Sequence, residues 1–493
     1  MARRSPSVGP FTIAALTVLA LVAIVVVYHV ATLPSHQMTV QPAPAIAIDP
    51  AAAERLAGAI RIPTVSSQYG GASPDALAQL HLHLAQSFPR THRALNRDVL
   101  GGSLLYEWRG QDPSLPPLLL LAHLDVVPAE AGTDSHWSEP PFSGVIKDGF
   151  VWGRGAMDMK MAVTGLLEAT ETLLGEGFAP RRTVWLAFGH DEEIGGAAGA
   201  QAMAEELTRR RVAPLLVLDE GLAILTDMVP GLTAPVAAVG IAEKGYLTVN
   251  LIAEAAGGHT SMPPHETAAG ILASAIKAVE RDPPPRHLEG PVSALFEFVA
   301  PEMRWGPRLI LSNLWLAAPL VEWQLERSPP TSAMLRTTIA VTMLQGSSKE
   351  NVLPTRAVAT LNIRIHPAER IESVLEHLGR VVEDPRVRIE RAGATVREPS
   401  ALSAIDGEPF ALLQRTIHES YPDVVVAPGL VLGATDSRHY AGLSGALYRF
   451  SPVRISRADT VRIHGADERI AVKDYTDAIR FYARLIRNAA GPL

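Results

Sequence analysis

The chain has 493 residues, 47% hydrophobic and 19% charged, which excludes a disordered or fibrous protein and leaves room for two or three domains. Its 44 basic and 51 acidic residues give a formal charge of −7, and no basic patch with interleaved aromatics occurs, so nucleic acid is not an expected partner. No cysteine is present, which excludes disulfides, thiolate zinc sites and cysteine nucleophiles and leaves His, Asp and Glu to hold any metal.

The first predicted element is an apolar run over 11–31 that follows Arg3 and Arg4. No charged residue occurs between Ser5 and Ile48. At 1.5 Å per residue such a helix is about 31 Å long, close to the ~30 Å hydrocarbon core of a bilayer. A cleaved signal has a shorter apolar core of about 7–15 residues. The pattern therefore predicts a single-pass transmembrane signal anchor over 11–32, with residues 1–10 cytoplasmic. A Pro/Ala tether over 33–50 follows, and the body is expected on the periplasmic or extracytoplasmic side.

Helical patterns at 51–60 and 76–88 precede three short apolar strands, each of which ends in acid. Leu118-Leu119-Leu120-Leu121 runs into His123 and Asp125, 183–189 ends at His190-Asp191-Glu192-Glu193, and 214–218 ends at Asp219-Glu220-Gly221. Helical stretches at 160–174 and 197–210 separate them. Continuous apolar strands alternating with helices predict an α/β, mostly parallel sheet covered on both faces, with its ligand site at the carboxyl ends of the strands. His123 and Asp125 share a face of an extended segment, so the carboxylate can orient the imidazole of a metal-bound histidine. The glycine-rich turn 153–160 fits neither phosphate-loop pattern and serves to present Asp158. Adjacent Glu192 and Glu193 can divide the roles of base and ligand.

HLDVVP (123–128), GRGAMDMK (153–160), GHDEEIGG (189–196), LDEG (218–221), GGHTSMPP (257–264), ENVLP (350–354), GATDSRHY (433–440) and IHGADERI (463–470) occur in that order. Together they resemble the co-catalytic zinc carboxypeptidase/aminoacylase family, in particular its branch of carboxypeptidase S and N-fatty-acyl-amino-acid synthase/hydrolase. The resemblance implies two Zn²⁺ per subunit, held by His123, Asp158, Glu193, Asp219 and His464, with Asp158 bridging and followed by a cis peptide bond. It implies Glu192 as general base, Asp125 as the partner that orients His123, and His259 as the oxyanion stabiliser, often acting in the other subunit of a homodimer. Asn351 and Arg364 lie in segments that hold a substrate carboxylate. Two departures are small: Asp219 is the shorter of the two acids the family uses there, and Ala434 stands where glycine is expected. The charge of two Zn²⁺ balances three ligand carboxylates and one hydroxide, so such a centre tolerates burial.

After Lys244 the pattern changes to strand 246–253, helix 266–279, strands 337–342 and 358–365, helix 371–382 and strand 387–391. That order predicts a ferredoxin-like α+β lid. The lid (245–393) would be inserted between catalytic segments 51–244 and 394–493 and carry an extra segment, 282–336, of unread role. Other patterns lead to no site. His81 and His83 point apart on a helix, His265-Glu266 lacks the second histidine of a zinc helix, and no G-x-S-x-G occurs. Trp137 and Phe142 read as packing near the site mouth, while Arg438 and His439 fit structural and substrate-facing roles equally. The expected activity is hydrolysis of a peptide or N-acyl amino acid with a free carboxylate. The alternatives are an aminopeptidase and a non-catalytic binding module.

Overall fold

A computed structural model describes residues 9–67, 70–130, 132 and 134–491. Twelve strands carry the architecture. They are β1 (Asn96–Leu100), β2 (Ser103–Trp108), β3 (Leu118–His123), β4 (Val184–Gly189), β5 (Leu216–Leu225), β6 (Val236–Glu243), β7 (Gly245–Glu254), β8 (Thr338–Gln345), β9 (Arg356–Ile365), β10 (Val387–Arg397), β11 (Val425–Val431) and β12 (Leu447–Ile455). Eight form one sheet in the order β1-β2-β4-β3-β5-β12-β6-β11.

Every residue of β3 and β4 is buried, as continuous apolar runs require when both faces of a sheet are covered. Leu118, Leu120 and Ala122 pack into a core with helices Lys160–Gly175 and Val472–Ala490. Leu119 and Leu121 face a second core with helix Ala200–Arg209. Pairs β3–β4, β3–β5, β5–β12 and β6–β11 are parallel, whereas β1–β2, β2–β4, β5–β6 and β6–β12 are antiparallel. The sheet is thus mixed rather than mostly parallel. Buried apolar runs carry no record of strand direction, and only the chain's connections supply it.

The expectation that the third acid run lies beyond a strand at 214–218 is also corrected. β5 continues to Leu225 through a bulge: Arg449 pairs with Asp219 but the next residue, Phe450, pairs with Leu222. Glu220 and Gly221 are squeezed out of register. Gly221 sits at φ +143°, and a Cβ there would lie 2.7 Å from the Cβ of Arg449.

β7 to β10, with helices Ala268–Arg281 and Ile371–Val382, form a β-α-β-β-α-β unit whose antiparallel sheet runs β8-β9-β7-β10. The two helices and one sheet face enclose a separate apolar core. Segment 282–336 folds into helices Pro291–Val299, Trp305–Leu311, Leu314–Leu325 and Pro329–Leu335. Val292, Phe296 and Phe298 of the first join the main core.

The N-terminal helix spans Pro10–Thr32, long and apolar enough to cross a membrane, with none of its most apolar stretch buried. The segment after it, 33–49, carries no helix or strand and is bonded to the body. Gln37 exchanges both amide bonds with the backbone of Val426 on edge strand β11, at 2.8 and 3.0 Å, which protects that edge from foreign pairing.

Gly221→Ala combines a disfavoured φ with a backbone-level clash, so it should destabilise the protein by about 1–3 kcal/mol. Gly379→Ala, on the exposed face of a helix with nothing within 4 Å, should instead leave stability unchanged or raise it slightly. Thermal melts of the two variants check the contrast, and equal melting temperatures would contradict the bulge.

Candidate active site

The strand ends and three loops converge on one carboxylate–imidazole cluster. His123 closes β3, Glu192 and Glu193 form a 3₁₀ turn just past β4, Glu220 projects from the β5 bulge, and Asp158 and His464 come from loops. Asp158 lies between the two histidines: Oδ1 is 3.0 Å from His123 Nε2 and Oδ2 is 2.9 Å from His464 Nε2. Glu220 Oε1 lies 3.3 Å from His123 Nε2, and Glu193 Oε2 lies 3.5 Å from His464 Nε2. Two groups therefore share Asp158, namely His123–Asp158–Glu220 and Asp158–Glu193–His464, each with ligand atoms within 4.8 Å of one another. The Asp158–Met159 peptide is cis.

Asp219, expected as a ligand, is not in either group. Its Oδ2 accepts the backbone N–H of Ser437 at 2.6 Å and its Oδ1 that of Glu220 at 2.9 Å. The bulge turns neighbouring side chains to opposite sides, so Glu220 takes the place facing His123. The signal for this was Gly221, since a glycine inside an apolar strand marks a bulge.

Asp125 lies against His123 and also supports the glutamates. His123 Nδ1 donates to the backbone carbonyl of Asp125 at 2.9 Å, which leaves Nε2 free for a metal, and the Asp125 carboxylate is 3.4 Å from the same nitrogen. The carboxylate also accepts the backbone N–H groups of Glu192 and Glu193 at 3.1 and 3.3 Å. It thereby fixes the turn that carries both glutamates.

A second support was not read from the sequence, although both its members lie within quoted motifs. The buried Arg154 pairs with Glu468 at 2.5 Å and donates to the backbone carbonyls of His464 and Gly465. Glu468 accepts the N–H groups of Met157 and Asp158 at 2.8 and 3.1 Å. One buried ion pair thus holds both loops that supply Asp158 and His464. Arg154 stands 5.5 Å over the ring of Trp137, in keeping with packing at the site mouth.

The electrostatics call for cations. Burial, followed by the charge of Asp158, pushes Glu193 up to about 7 and Glu220 up to about 8. Burial likewise lifts Glu192 well above the usual carboxylate range. The bond to Asp158 raises His464 to about 9. Burial alone would lower His123, yet Glu220, Asp125 and Asp158 carry it well above its ordinary value. Glu193 Oε1 is buried with no hydrogen-bond partner among the described residues. Crowded carboxylates that must borrow protons, one with an orphaned oxygen, fit a site for divalent cations.

Beside the cluster lies a cavity of about 540 Å³ between the main body and the second unit, lined by Lys244, Tyr246, Arg397, Arg438 and His439 among others. Arg438 and His439 reach the carbonyl of Gly195, just past Glu193, at 2.9 and 3.1 Å. Burial and Arg438 push His439 down to about 4, so it is neutral. Arg364 stacks 4.8 Å over Tyr246. Among the described residues, Arg364 is stacked on a ring and Arg438 donates to backbone carbonyls, and neither forms an ion pair with a carboxylate. Arg397 and Arg438 line the cavity in addition to the expected pair.

His259 and Asn351 are exposed. His259 lies on the short ladder Gly258–His259/Val352–Leu353, its Nδ1 2.8 Å from Ser261 Oγ, and no described contact joins it to the cluster. His81 and His83 bond separate backbone carbonyls, of Gly102 and Arg55, as expected of structural histidines.

A cluster of this kind can serve metal-assisted amide hydrolysis, the chemistry of metallopeptidases and amidohydrolases. The model of peptidase family M20/M25/M40 matches residues 119–488, and the chain belongs to that family. It is 41% identical over 443 residues to the probable carboxypeptidase S-like 2 of Dictyostelium discoideum, covering 88% of this chain and 84% of that one. It is also 41% identical over 441 residues to the N-fatty-acyl-amino acid synthase/hydrolase PM20D1 of Xenopus tropicalis, covering 88% and 85%. Among solved structures, the M20 family metallo-carboxypeptidase Sso-CP2 from Sulfolobus solfataricus shares the fold, with TM-score 0.66 and 18% identity over 90% of this chain and 99% of that one.

The raised groups set a pH signature. Glu193 and Glu220 have folded values of about 7 and 8 against an ordinary 4.5, and His464 about 9 against 6.5. In the metal-free protein the folded state then holds protons that the unfolded state has released. Stability therefore falls as pH rises from about 4.5, through the glutamates first, toward 9, where His464 is the last to lose its proton. Metal replaces those protons, so the loaded form should not show that fall. The gap in melting temperature between zinc-loaded and chelator-treated protein should widen across this window. Parallel curves would contradict the assignment.

Proposed function

We propose that the protein is a di-zinc hydrolase of carboxypeptidase/aminoacylase type, cleaving the amide of a peptide or N-acyl amino acid whose leaving residue keeps a free α-carboxylate. The observation that carries this is the pairing of an acidic metal cluster with an adjoining cavity lined by Lys244, Arg397 and Arg438. Among the described residues none of these three forms an ion pair with a carboxylate, while Arg449 alone is paired, with Glu243. His123, Asp158 and Glu220 would hold one ion, and Asp158, Glu193 and His464 the other. Bound metal supplies charge neutralisation and an acidified water. Glu192 takes the proton of the attacking water and delivers it to the amide nitrogen as the C–N bond breaks, giving a carboxylic acid and a free amino acid. Arg364, Arg397 and Arg438 orient the substrate carboxylate toward the cavity. An aminopeptidase would need a free anionic group there for the substrate ammonium, whereas the two carboxylates that line the cavity are engaged, Glu243 by Arg449 and Thr435 and Glu398 by the backbone N–H of Ile371.

The β-α-β-β-α-β unit acts as the lid in this reading. Exposed His259 and Asn351 enter the site either by closure of that unit or from a second copy in a homodimer. The N-terminal helix anchors the chain in a membrane with the catalytic body outside the cytoplasm. The name of the Xenopus relative supports long N-acyl groups as one substrate class.

Glu192→Gln should keep its metal and lower kcat by about 10²–10⁴. Glu220→Gln should lower bound zinc, whereas Asp219→Asn should retain it, and metal analysis of purified variants separates the two residues. Retention by Glu220→Gln with loss in Asp219→Asn would restore the original ligand set.

An amide-capped substrate leaves a half-buried guanidinium unpaired, at about 2 kcal/mol, the low end of the range for a desolvated charge. Capping should therefore lower kcat/KM by roughly 30-fold, since about 1.4 kcal/mol is tenfold. Arg364→Ala and Arg397→Ala, measured separately, should each shrink that ratio. Equal cleavage of free and capped substrates by the unaltered enzyme would favour an aminopeptidase.

A further inference from the structure

Four of the seven tryptophans, Trp108, Trp137, Trp152 and Trp185, are buried in the body, whereas Trp305, Trp315 and Trp323 are 61%, 56% and 51% exposed. All three exposed rings belong to the helical pair Trp305–Leu311 and Leu314–Leu325 of segment 282–336. On the second helix Leu316, Leu320 and Trp323 recur at spacings that place them on one face, and the two leucines are also more than half exposed. Contiguous apolar surface of this kind marks an interaction site.

The helical pair is fastened to the end of the apolar N-terminal helix. Asn313 Nδ2 donates to the carbonyl of Val26 at 3.3 Å, and Asn313 Oδ1 lies 3.1 Å from His29 Nδ1. Arg308 donates to the carbonyls of Val30 and Leu33 at 3.1 and 3.4 Å, and Trp315 stands edge-on to His29. Beyond the helix, Ser35 donates to Glu302 at 2.5 Å and His36 stacks on Phe298 at 4.6 Å. The body is therefore held in a fixed relation to the helix rather than hung on a free tether. The contacted stretch, residues 26–33, covers about 10 Å of helix axis, which matches the ~5–10 Å to which interfacial helices sink into a leaflet.

We infer that Trp305–Leu311 and Leu314–Leu325 form a membrane-seated foot that docks the catalytic body on the bilayer its N-terminal helix enters. Lipid covers the face. Acyl chains meet Leu316 and Leu320, and the three indoles lie at headgroup level, where aromatic side chains concentrate. Exposed Arg304 and Arg327, the latter 4.3 Å over the Trp323 ring, are placed to meet lipid phosphates. The inference rests on the anchor reading and adds what that reading leaves open, the orientation of the body on the membrane.

The test uses the full chain in phosphatidylcholine vesicles, with or without lipid brominated near the headgroup end of its acyl chains. Flotation after an alkaline wash reports the anchor separately. Brominated vesicles should quench the share of emission that comes from three of the seven tryptophans. A chain carrying W305F, W315F and W323F should float equally well without that quenching. A chain that floats with unchanged emission would overturn the foot while leaving the anchor intact. Tryptophans shielded from both brominated lipid and aqueous iodide, with a doubled mass, would mean that a second copy covers the face, and would overturn it too. A chain that does not float loses the anchor and the foot together.

Discussion

The catalytic body is closed by one carboxylate. Asp158 places an oxygen against each of His123 and His464, residues that lie on opposite sides of the long second unit in the chain. Nothing in that contact is self-sufficient. Two imidazoles, Glu193 and Glu220 crowd a partly buried aspartate, and the three carboxylates repel one another. The Arg154–Glu468 pair supplies the restraint, because Glu468 bonds the backbone on the Asp158 side and Arg154 bonds it on the His464 side. A buried ion pair of this kind adds little net stability, but breaking it by removing one partner leaves an uncompensated charge. Its role here is to fix two loops in register before any metal arrives.

The rest of the site follows from where the sheet stops. β3 and β4 are parallel neighbours, so His123 and the Glu192–Glu193 turn emerge side by side, and Asp125 ties them through two backbone N–H groups. β5 is interrupted at the same level by its bulge, which brings Glu220 to the cluster without ending the strand. The second unit leaves the main sheet where β6 passes directly into β7, and the cationic cavity opens at that junction. Acid on one side and guanidinium on the other give the site its polarity.

Much of this was legible in the sequence because buried strands write continuous apolar runs and the acids stand at their ends. His123, Asp158, Glu193 and His464 are brought together as the motifs suggested, and the order of the second unit follows from its alternating period. Four things were not legible. Strand direction in β5, β6 and β12 leaves no trace in a run of buried residues, which is why the sheet is mixed. The choice between Asp219 and Glu220 depends on a bulge, where one residue of slip reverses the face a side chain takes. Arg154 and Glu468 sat within recognised motifs, but their pairing spans more than three hundred residues and has no local signature. Segment 282–336 resisted reading because Leu314–Leu325 is apolar on most sides while burying only Val321, so no amphipathic period points to its partner.

In the proposed reading Asp158 would be shared by two ions, with Glu220 rather than Asp219 beside His123. Anomalous diffraction at the zinc edge, from crystals of the chain grown with zinc, tests it most directly. Two peaks should flank the Asp158 carboxylate, one reached by His123 and Glu220 and the other by Glu193 and His464. A single peak, or a peak reached by Asp219 in place of Glu220, would contradict the account.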